Sequence, residues 1–243
     1  MIAPMRRALV TGGSGGLGAA ICERLAGSGH HVYVHAHRGL EQAEAIAQRL
    51  TASGLQAQAL CFDVTDAAAT HAAIEQMLAA GAIQILVNNA GIHDDAVFPG
   101  MSALQWQRVI DVSLQGFFNV TQPLLLPMLR TRWGRILNMS SVSALLGNRG
   151  QVNYAAAKGA LISATRALAL EVASRGVTVN AIAPGIIATR MSESAFSETA
   201  IARLVPMQRA GTAAEVASLV DFLVADRAAY ITGQVISING GMT

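Results

Sequence analysis

Seven short apolar runs recur along the chain, and a longer stretch with apolar positions at helical spacing follows most of them. The runs read as strands at Ala8–Thr11, His31–His35, Gln58–Phe62, Ile85–Asn88, Arg135–Met139, Thr178–Ala183 and Val235–Ile238. In the first helical interval Ala20, Ile21 and Leu25 fall on one side. Alternating strands and helices predict an α/β fold, a doubly wound parallel sheet with helices on both faces. The expected strand order is 3-2-1-4-5-6-7 with right-handed crossovers. No linker or repeat divides residues 1–243, so one domain is expected. Two longer connections break the rhythm. Gly91–Ser102 lies beside the predicted cleft, and Ile186–Pro206 is expected to form a helical lid over substrate.

Composition sharpens this picture. Hydrophobic residues make up 52% and charged residues 13% of the chain, which fits strands covered on both faces and suggests an oligomer that buries further helix surface. Mean hydropathy is +0.41, yet no uninterrupted apolar stretch reaches membrane-spanning length, so no membrane partner is expected. A net charge of +2 without a basic tract argues against nucleic acid. Arg6 and Arg7 run straight into the first strand, which is not the pattern of a signal peptide. Cys22 and Cys61 read as small core residues of a protein in reducing cytoplasm. His30, His31, His35 and His37 cluster on one strand without an acidic or thiol partner nearby. Structural or cofactor-rim roles are expected for them, and no metal.

Four segments carry chemistry. Arg7–Thr11 runs into Gly12-Gly13-Ser14-Gly15-Gly16-Leu17-Gly18 and then a helix. A strand, a glycine-rich turn and a helix present backbone N–H groups where a pyrophosphate is stabilised. Gly12 suits the tight turn, Gly16 close approach to phosphate, and Gly18 close packing of helix on sheet. Next, the strand Ile85–Asn88 ends in Asn89-Ala90-Gly91. Asn89 could tie neighbouring strands, and Ala90 and Gly91 leave room for a flat ligand; the alternative is an ordinary turn. A third strand, Arg135–Met139, ends in Ser140-Ser141. Last, Asn153-Tyr154-Ala-Ala-Ala-Lys158 opens a long helical pattern that puts phenol and ammonium on one face. A nearby cation is expected to lower the phenol's pKa toward a useful range. A Tyr-x-x-x-Lys alone would more often be a helix start with an exposed lysine.

Together these residues resemble the short-chain dehydrogenase/reductase family over essentially the whole chain. The resemblance implies a Rossmann fold binding a nicotinamide cofactor. It implies that Ser141, thirteen residues before the tyrosine, holds the substrate carbonyl, that Tyr154 donates the proton, and that Lys158 binds the nicotinamide ribose. The implied cofactor residues are Gly12, Ser14, Gly16, Leu17 and Gly18 in the turn, His37 and Arg38 after the second strand, Asp63 and Val64 beside the adenine, Asn89, Ala90 and Gly91, Tyr154 and Lys158, Pro184 and Gly185, and Ile187 and Thr189 at the carboxamide. For Asp63 a helix N-cap before Thr65 and Asp66 is the alternative. NADPH is expected over NADH, because no acid follows the second strand until Glu41 and the fork of Arg38 suits a 2′-phosphate. Gly15 stands where many NADP-binding relatives carry a second basic residue.

The stretches Gly147–Lys158 and Leu170–Gly185 are similar to bacterial reductases of 3-oxoacyl chains on acyl carrier protein. That likeness implies carrier docking at Arg132 and Arg175, where a basic rim would steer an acidic partner, and a homotetramer. Plain surface solvation is the alternative for both arginines. The Val34–His37 stretch is similar to reductases of secondary pathways such as aryl-polyene or polyketide assembly, beside fatty-acid synthesis itself. One position departs from the family: Ser113 stands where an asparagine usually holds a relay water near the lysine. Serine is shorter, though a second water could bridge the gap. A dehydrogenase of a free ketone or alcohol, or a cofactor-binding subunit without activity, are the competing readings.

Overall fold

A computed structural model of the protein describes residues 5–188 and 197–243. Seven strands form one parallel sheet: β1 Arg7–Val10, β2 His31–Ala36, β3 Ala57–Cys61, β4 Ile85–Asn88, β5 Gly134–Met139, β6 Val177–Pro184 and, last in the chain, β9 Val235–Ile238. Their order is β3-β2-β1-β4-β5-β6-β9, the order expected from the sequence with β9 in seventh place. β7 (Ile187–Ala188) and β8 (Gly211–Thr212) pair separately beside the sheet.

Residue alternation along the strands sorts the core into two layers. Ala8, Val10, Ile85, Val87, Leu137 and Met139 face one way, onto α1 (Gly16–Gly27), α2 (Leu40–Ala52) and a late helix, Ala213–Val224. Leu9, Leu86 and Ile136 face the other way, onto α3 (Ala67–Ala79), α5 (Gly116–Thr131) and α7 (Val152–Val172). A period of two explains why these strands are apolar at every position and why both faces are covered. α4 (Ala103–Ile110) starts at Ser102, whose side chain forms a reciprocal capping box with Gln105. The short α6 (Ser143–Leu146) separates β5 from α7, and α8 (Glu198–Leu204) follows Ser197.

α4 joins α5 through a π turn over Asp111–Gln115, which carries Ser113. One expectation changes. Cys22 is buried, but Cys61 is exposed because β3 is an edge strand. Part of the expected lid, residues 189–196 with Thr189, lies outside the described residues. Among the described residues no helix is long and apolar enough to cross a membrane.

Candidate active site

All parallel strands end on one edge, so the loops after β1, β3, β4, β5 and β6 meet there. After β1 the chain turns at Gly12 with a positive φ of 63°. A Cβ on Gly18 would lie 2.1 Å from the Gly12 carbonyl oxygen, so only glycine lets α1 pack this closely. Gly15 donates to Gly12 O at 3.2 Å and closes the turn. The first-turn N–H groups of α1, on Gly16, Leu17 and Gly18, have no intrahelical partner by helix geometry. That donor set suits a pyrophosphate. Leu17 packs onto the core below, and Ser14 stands beside Gly39 at the exit of β2.

Asn89 ties β4 to this turn. Its side-chain amide donates to Thr11 O at 3.0 Å and Gly12 O at 3.2 Å, while the backbone N–H groups of Asn89 and Ala90 both donate to Thr11 Oγ1 at 3.0 Å. A Cβ on Gly91 would lie 3.1 Å from Lys158 Nζ, so the glycine makes room for the lysine. Below this edge sits a buried amide network that sequence reasoning missed. Asn88 donates to Thr121 and Asn138, and Asn138 donates to Thr165 on α7. These bonds hold β4, β5, α5 and α7 in one register.

At the outer end of the edge, His37 and Arg38 are exposed. His37 Nε2 lies 3.2 Å from Asp63 Oδ2. Asp63 Oδ1 also accepts from the Thr65 N–H at 2.9 Å and the Thr65 hydroxyl at 2.8 Å. Burial pushes the Asp63 carboxyl up, but the Thr65 bonds, His37 and Arg38 together hold it below its ordinary value. Asp66, not Asp63, caps α3, accepting from the Ala69 N–H. Val64 is buried, and its carbonyl accepts from Asn119 at 2.8 Å. Pro184 O accepts from the Val142 N–H at 2.8 Å, and a Cβ on Gly185 would meet Asn239 Cα at 2.8 Å. Ile187 is buried in the core that also holds Val216 and Val220.

The two serines after β5 differ in employment. Ser140 is buried, and its hydroxyl donates to Lys158 O at 2.9 Å, bracing α7. Ser141 accepts from the Ser143 N–H at 3.1 Å, and its hydroxyl stands close enough to the Tyr154 phenol to favour the phenolate and pull the phenol's pKa down. Tyr154 sits in the first turn of α7, and Asn153 fixes that turn. Its side-chain oxygen accepts from the Tyr154 N–H at 2.8 Å, and its amide donates to Asp94 O at 2.9 Å and Gln105 O at 3.2 Å. Gln151 accepts from the Ser143 hydroxyl at 3.1 Å and donates to Asp95 at 2.9 Å. Nothing in the spacing of Asp95 and Gln151 marked them beforehand, since they meet only across two loops.

The Tyr154 phenol is raised in this protein, not lowered as expected. Burial pushes the Tyr154 phenol above its ordinary value, the Ser141 hydrogen bond pulls it down, and the Asp95 charge pushes it up. Lys158 is no counterweight. Its Nζ donates to Met139 O at 2.8 Å and stands 5.7 Å from the centre of the Tyr154 ring. With only 3% of its surface exposed, the lysine itself is pushed down to about 8. Ser113 lies in the π turn, which packs against α7. Its hydroxyl is buried and has no hydrogen-bond partner in the protein. π turns inside helices are frequent at functional sites.

Arg132 and Arg175 stand elsewhere. Both are exposed and precede strands, at the opposite edge of the sheet from Tyr154. Arg132 ends α5 in the left-handed region and donates to Ser174 O at 3.1 Å, and Arg175 donates to Leu129 O at 3.4 Å. Eight residues of β6, about 26 Å at ~3.3 Å per residue, separate the two edges. Among the described residues no group of three or more His, Cys, Asp or Glu side chains could hold a metal ion.

A doubly wound sheet with a glycine turn at its switch edge and a Ser-Tyr-Lys cluster beside it defines the class: an oxidoreductase of the dinucleotide-binding α/β kind. The short chain dehydrogenase profile matches residues 6–200, and the chain belongs to that family. It is 44% identical over 236 residues to the 3-oxoacyl-acyl-carrier-protein reductase FabG of Aggregatibacter actinomycetemcomitans, covering 96% of this chain and 98% of that protein. It is 42% identical over 240 residues to the FabG of Staphylococcus aureus strain Mu50, with 98% of each chain covered. The FabG of Aquifex aeolicus is 43% identical over 238 residues, with 96% of each covered.

Proposed function

We propose that the protein reduces 3-oxoacyl groups on acyl carrier protein to 3-hydroxyacyl groups with NADPH, in fatty-acid or related biosynthesis. The observation that carries this reading is the Ser141 hydroxyl beside the Tyr154 phenol, with the buried Lys158 ammonium 5.7 Å from that ring, in a chain whose near-full-length relatives bear that activity in their names. The glycine turn, Asn89, Ala90 and Gly91, Asp63 and Val64, Pro184 and Gly185, and Ile187, with Thr189 beyond the described residues, would hold the cofactor. Arg38, beside His37, would hold its 2′-phosphate, and Lys158 its ribose. Bound NADPH supplies the hydride.

The chain's own groups do the rest. Ser141 and Tyr154 donate hydrogen bonds to the carbonyl oxygen, where negative charge develops. Burial and Asp95 keep the phenol protonated, as an acid must be before it acts. Tyr154 then gives up its proton to that oxygen. Ser113 takes part in returning a proton, through water held at its unpartnered hydroxyl. Arg132 and Arg175 dock the carrier. Because they stand on the far edge, a carrier docked there serves the cleft of a neighbouring copy, which makes the proposed homotetramer part of the mechanism.

The test is cofactor oxidation with 3-oxoacyl groups of several lengths on purified acyl carrier protein, against short free ketones. The carrier-bound substrate is expected to be reduced far faster. Equal rates would leave only a dehydrogenase of free ketones, and binding of NADPH without turnover on any substrate would leave a cofactor-binding subunit.

A further inference from the structure

We infer that His35 is a positioning residue for the phosphate turn: its imidazole clamps Gly12 to the end of β3 and so holds the turn in the shape that accepts a dinucleotide. The inference rests on the cofactor reading above.

His35 is 1% exposed on β2, between the glycine turn and β3. Gly12 N–H donates to its Nδ1 at 3.0 Å. Its other nitrogen, Nε2, stands 2.9 Å from the carbonyl oxygen of Phe62, the residue before Asp63. The partners fix the tautomer. A backbone N–H can only donate, so Nδ1 carries no proton, and a carbonyl can only accept, so Nε2 carries one. The Phe62 ring covers the imidazole at 4.1 Å between centroids.

The clamp needs a neutral ring, because an imidazolium would set one N–H against another. Burial supplies that neutrality and pushes the ring down to about 4, far more strongly than its neighbours act. Among these neighbours the Phe62 carbonyl and Asp63 favour the charged form, and His37 opposes it. An apolar residue would fill this place in β2 without the cost of burying two ring nitrogens. What only the imidazole supplies is an acceptor for Gly12. The preceding N–H, on Thr11, still follows the strand ladder to Val87 O at 3.0 Å. Gly12 is the first group to leave that ladder, at a residue with little conformational preference of its own. Without an acceptor the Gly12 N–H would lose its partner and the turn would be held only through the Gly12 carbonyl, by Asn89 and Gly15, so the N–H groups after it would keep their common aim less well.

The experiment compares the parent with His35→Phe, which keeps a ring but no nitrogen, and His35→Asn, which keeps a donor and an acceptor. NADPH affinity is read by fluorescence titration, alongside saturated turnover and the melting temperature of the cofactor-free protein. His35→Phe is expected to weaken NADPH roughly tenfold or more, with kcat within about twofold, and His35→Asn to recover most of the loss. In the parent, ¹⁵N spectra of the ring should show the Nε2–H form with no titration near the ordinary histidine range. Unchanged NADPH affinity in His35→Phe would overturn the inference. If that variant does not fold, a ring protonated on Nδ1 at neutral pH, or a His35→Asn affinity far below the parent's, would overturn it. A parent that binds no NADPH would overturn the cofactor reading instead, and this inference with it.

Discussion

Lys158 is bound to Met139, not to Tyr154: its ammonium donates to the last carbonyl of β5 at 2.8 Å. This one bond holds a fully buried cation whose pKa is pushed from 10.5 down to about 8. A fall of that size corresponds to roughly 3 kcal/mol of burial penalty. Below about pH 8 both folded and unfolded chains hold the proton, and the penalty is present in full. Between about 8 and 10.5 the unfolded chain binds more protons, so stability rises with pH until the penalty is gone. Lys158→Met should therefore stabilise the cofactor-free protein at pH 7 by roughly 1–3 kcal/mol, with the advantage shrinking above pH 8. Denaturant melts across that range check it. The same variant should lose NADPH affinity and turnover together.

Tyr154→Phe keeps the ring and removes the proton. Turnover should fall by about 10²–10⁴-fold while NADPH affinity changes by less than about twofold. The two serines separate in the same assay. Ser141→Ala should lower kcat, because its hydroxyl meets the phenol. Ser140→Ala should leave the chemistry and cost about 1 kcal/mol of stability, because its hydroxyl braces the Lys158 carbonyl. Near-normal ketone reduction by Tyr154→Phe would dismiss this site.

The strands and their order were legible because apolar runs and glycine turns are local signals. The serine–tyrosine–lysine set was legible because its spacings are fixed within β5 and α7. The electrostatics were not. A lysine four residues from a tyrosine suggests a lowered phenol pKa, but the sign depends on burial and on where the ammonium finds its acceptor, and both are tertiary. Asp95 and Gln151 reach the site from loops far apart in sequence, and the structural or cofactor-rim role expected for His35 takes no definite form until its partners are seen. The edge position of β3, which exposes Cys61, was implicit in the expected strand order, but the core reading of Cys61 followed its residue type alone.

Arg38 is exposed, and its neighbour His37 is engaged with Asp63. Thr65 and His37 hold the Asp63 carboxylate, and among the described residues the Arg38 side chain makes no hydrogen bond or ion pair, so its guanidinium is available to a 2′-phosphate. Arg38→Ala should weaken NADPH about 10–100-fold, the worth of a charged hydrogen-bonded contact, and NADH by less than about twofold. Equal weakening of both would show that Arg38 does not read the phosphate.

Ser113 tests the departure from the family pattern. Its buried hydroxyl lacks a partner, so Ser113→Ala should be neutral or stabilising by up to about 1 kcal/mol in thermal melts. Turnover should nonetheless fall if that hydroxyl holds the relay water. Ser113→Asn, with a longer side chain and two donors, should raise kcat. Unchanged turnover in both variants would remove Ser113 from the mechanism.

Tyr230 is fully exposed, Leu170 is 86% exposed, and Phe118 and Leu126 lie open on α5. So much apolar surface on helices and beside the last strand is a motive for self-association, and light scattering at micromolar concentration should give a tetramer. Arg132 and Arg175 lie about one strand length, ~26 Å, from the Tyr154 edge of their own sheet. Reversing both charges should raise KM for the carrier-bound substrate and barely affect a short free analogue. The double charge reversal and Tyr154→Phe are then complementary defects. One lacks a dock and keeps its chemistry, and the other keeps its dock and lacks the proton. Co-expressed and purified as mixed assemblies, they should regain reduction of the carrier-bound substrate well beyond the sum of the two alone. Strictly additive activity from confirmed mixed assemblies would mean that each carrier serves the subunit it docks on, or that the arginines do not dock it.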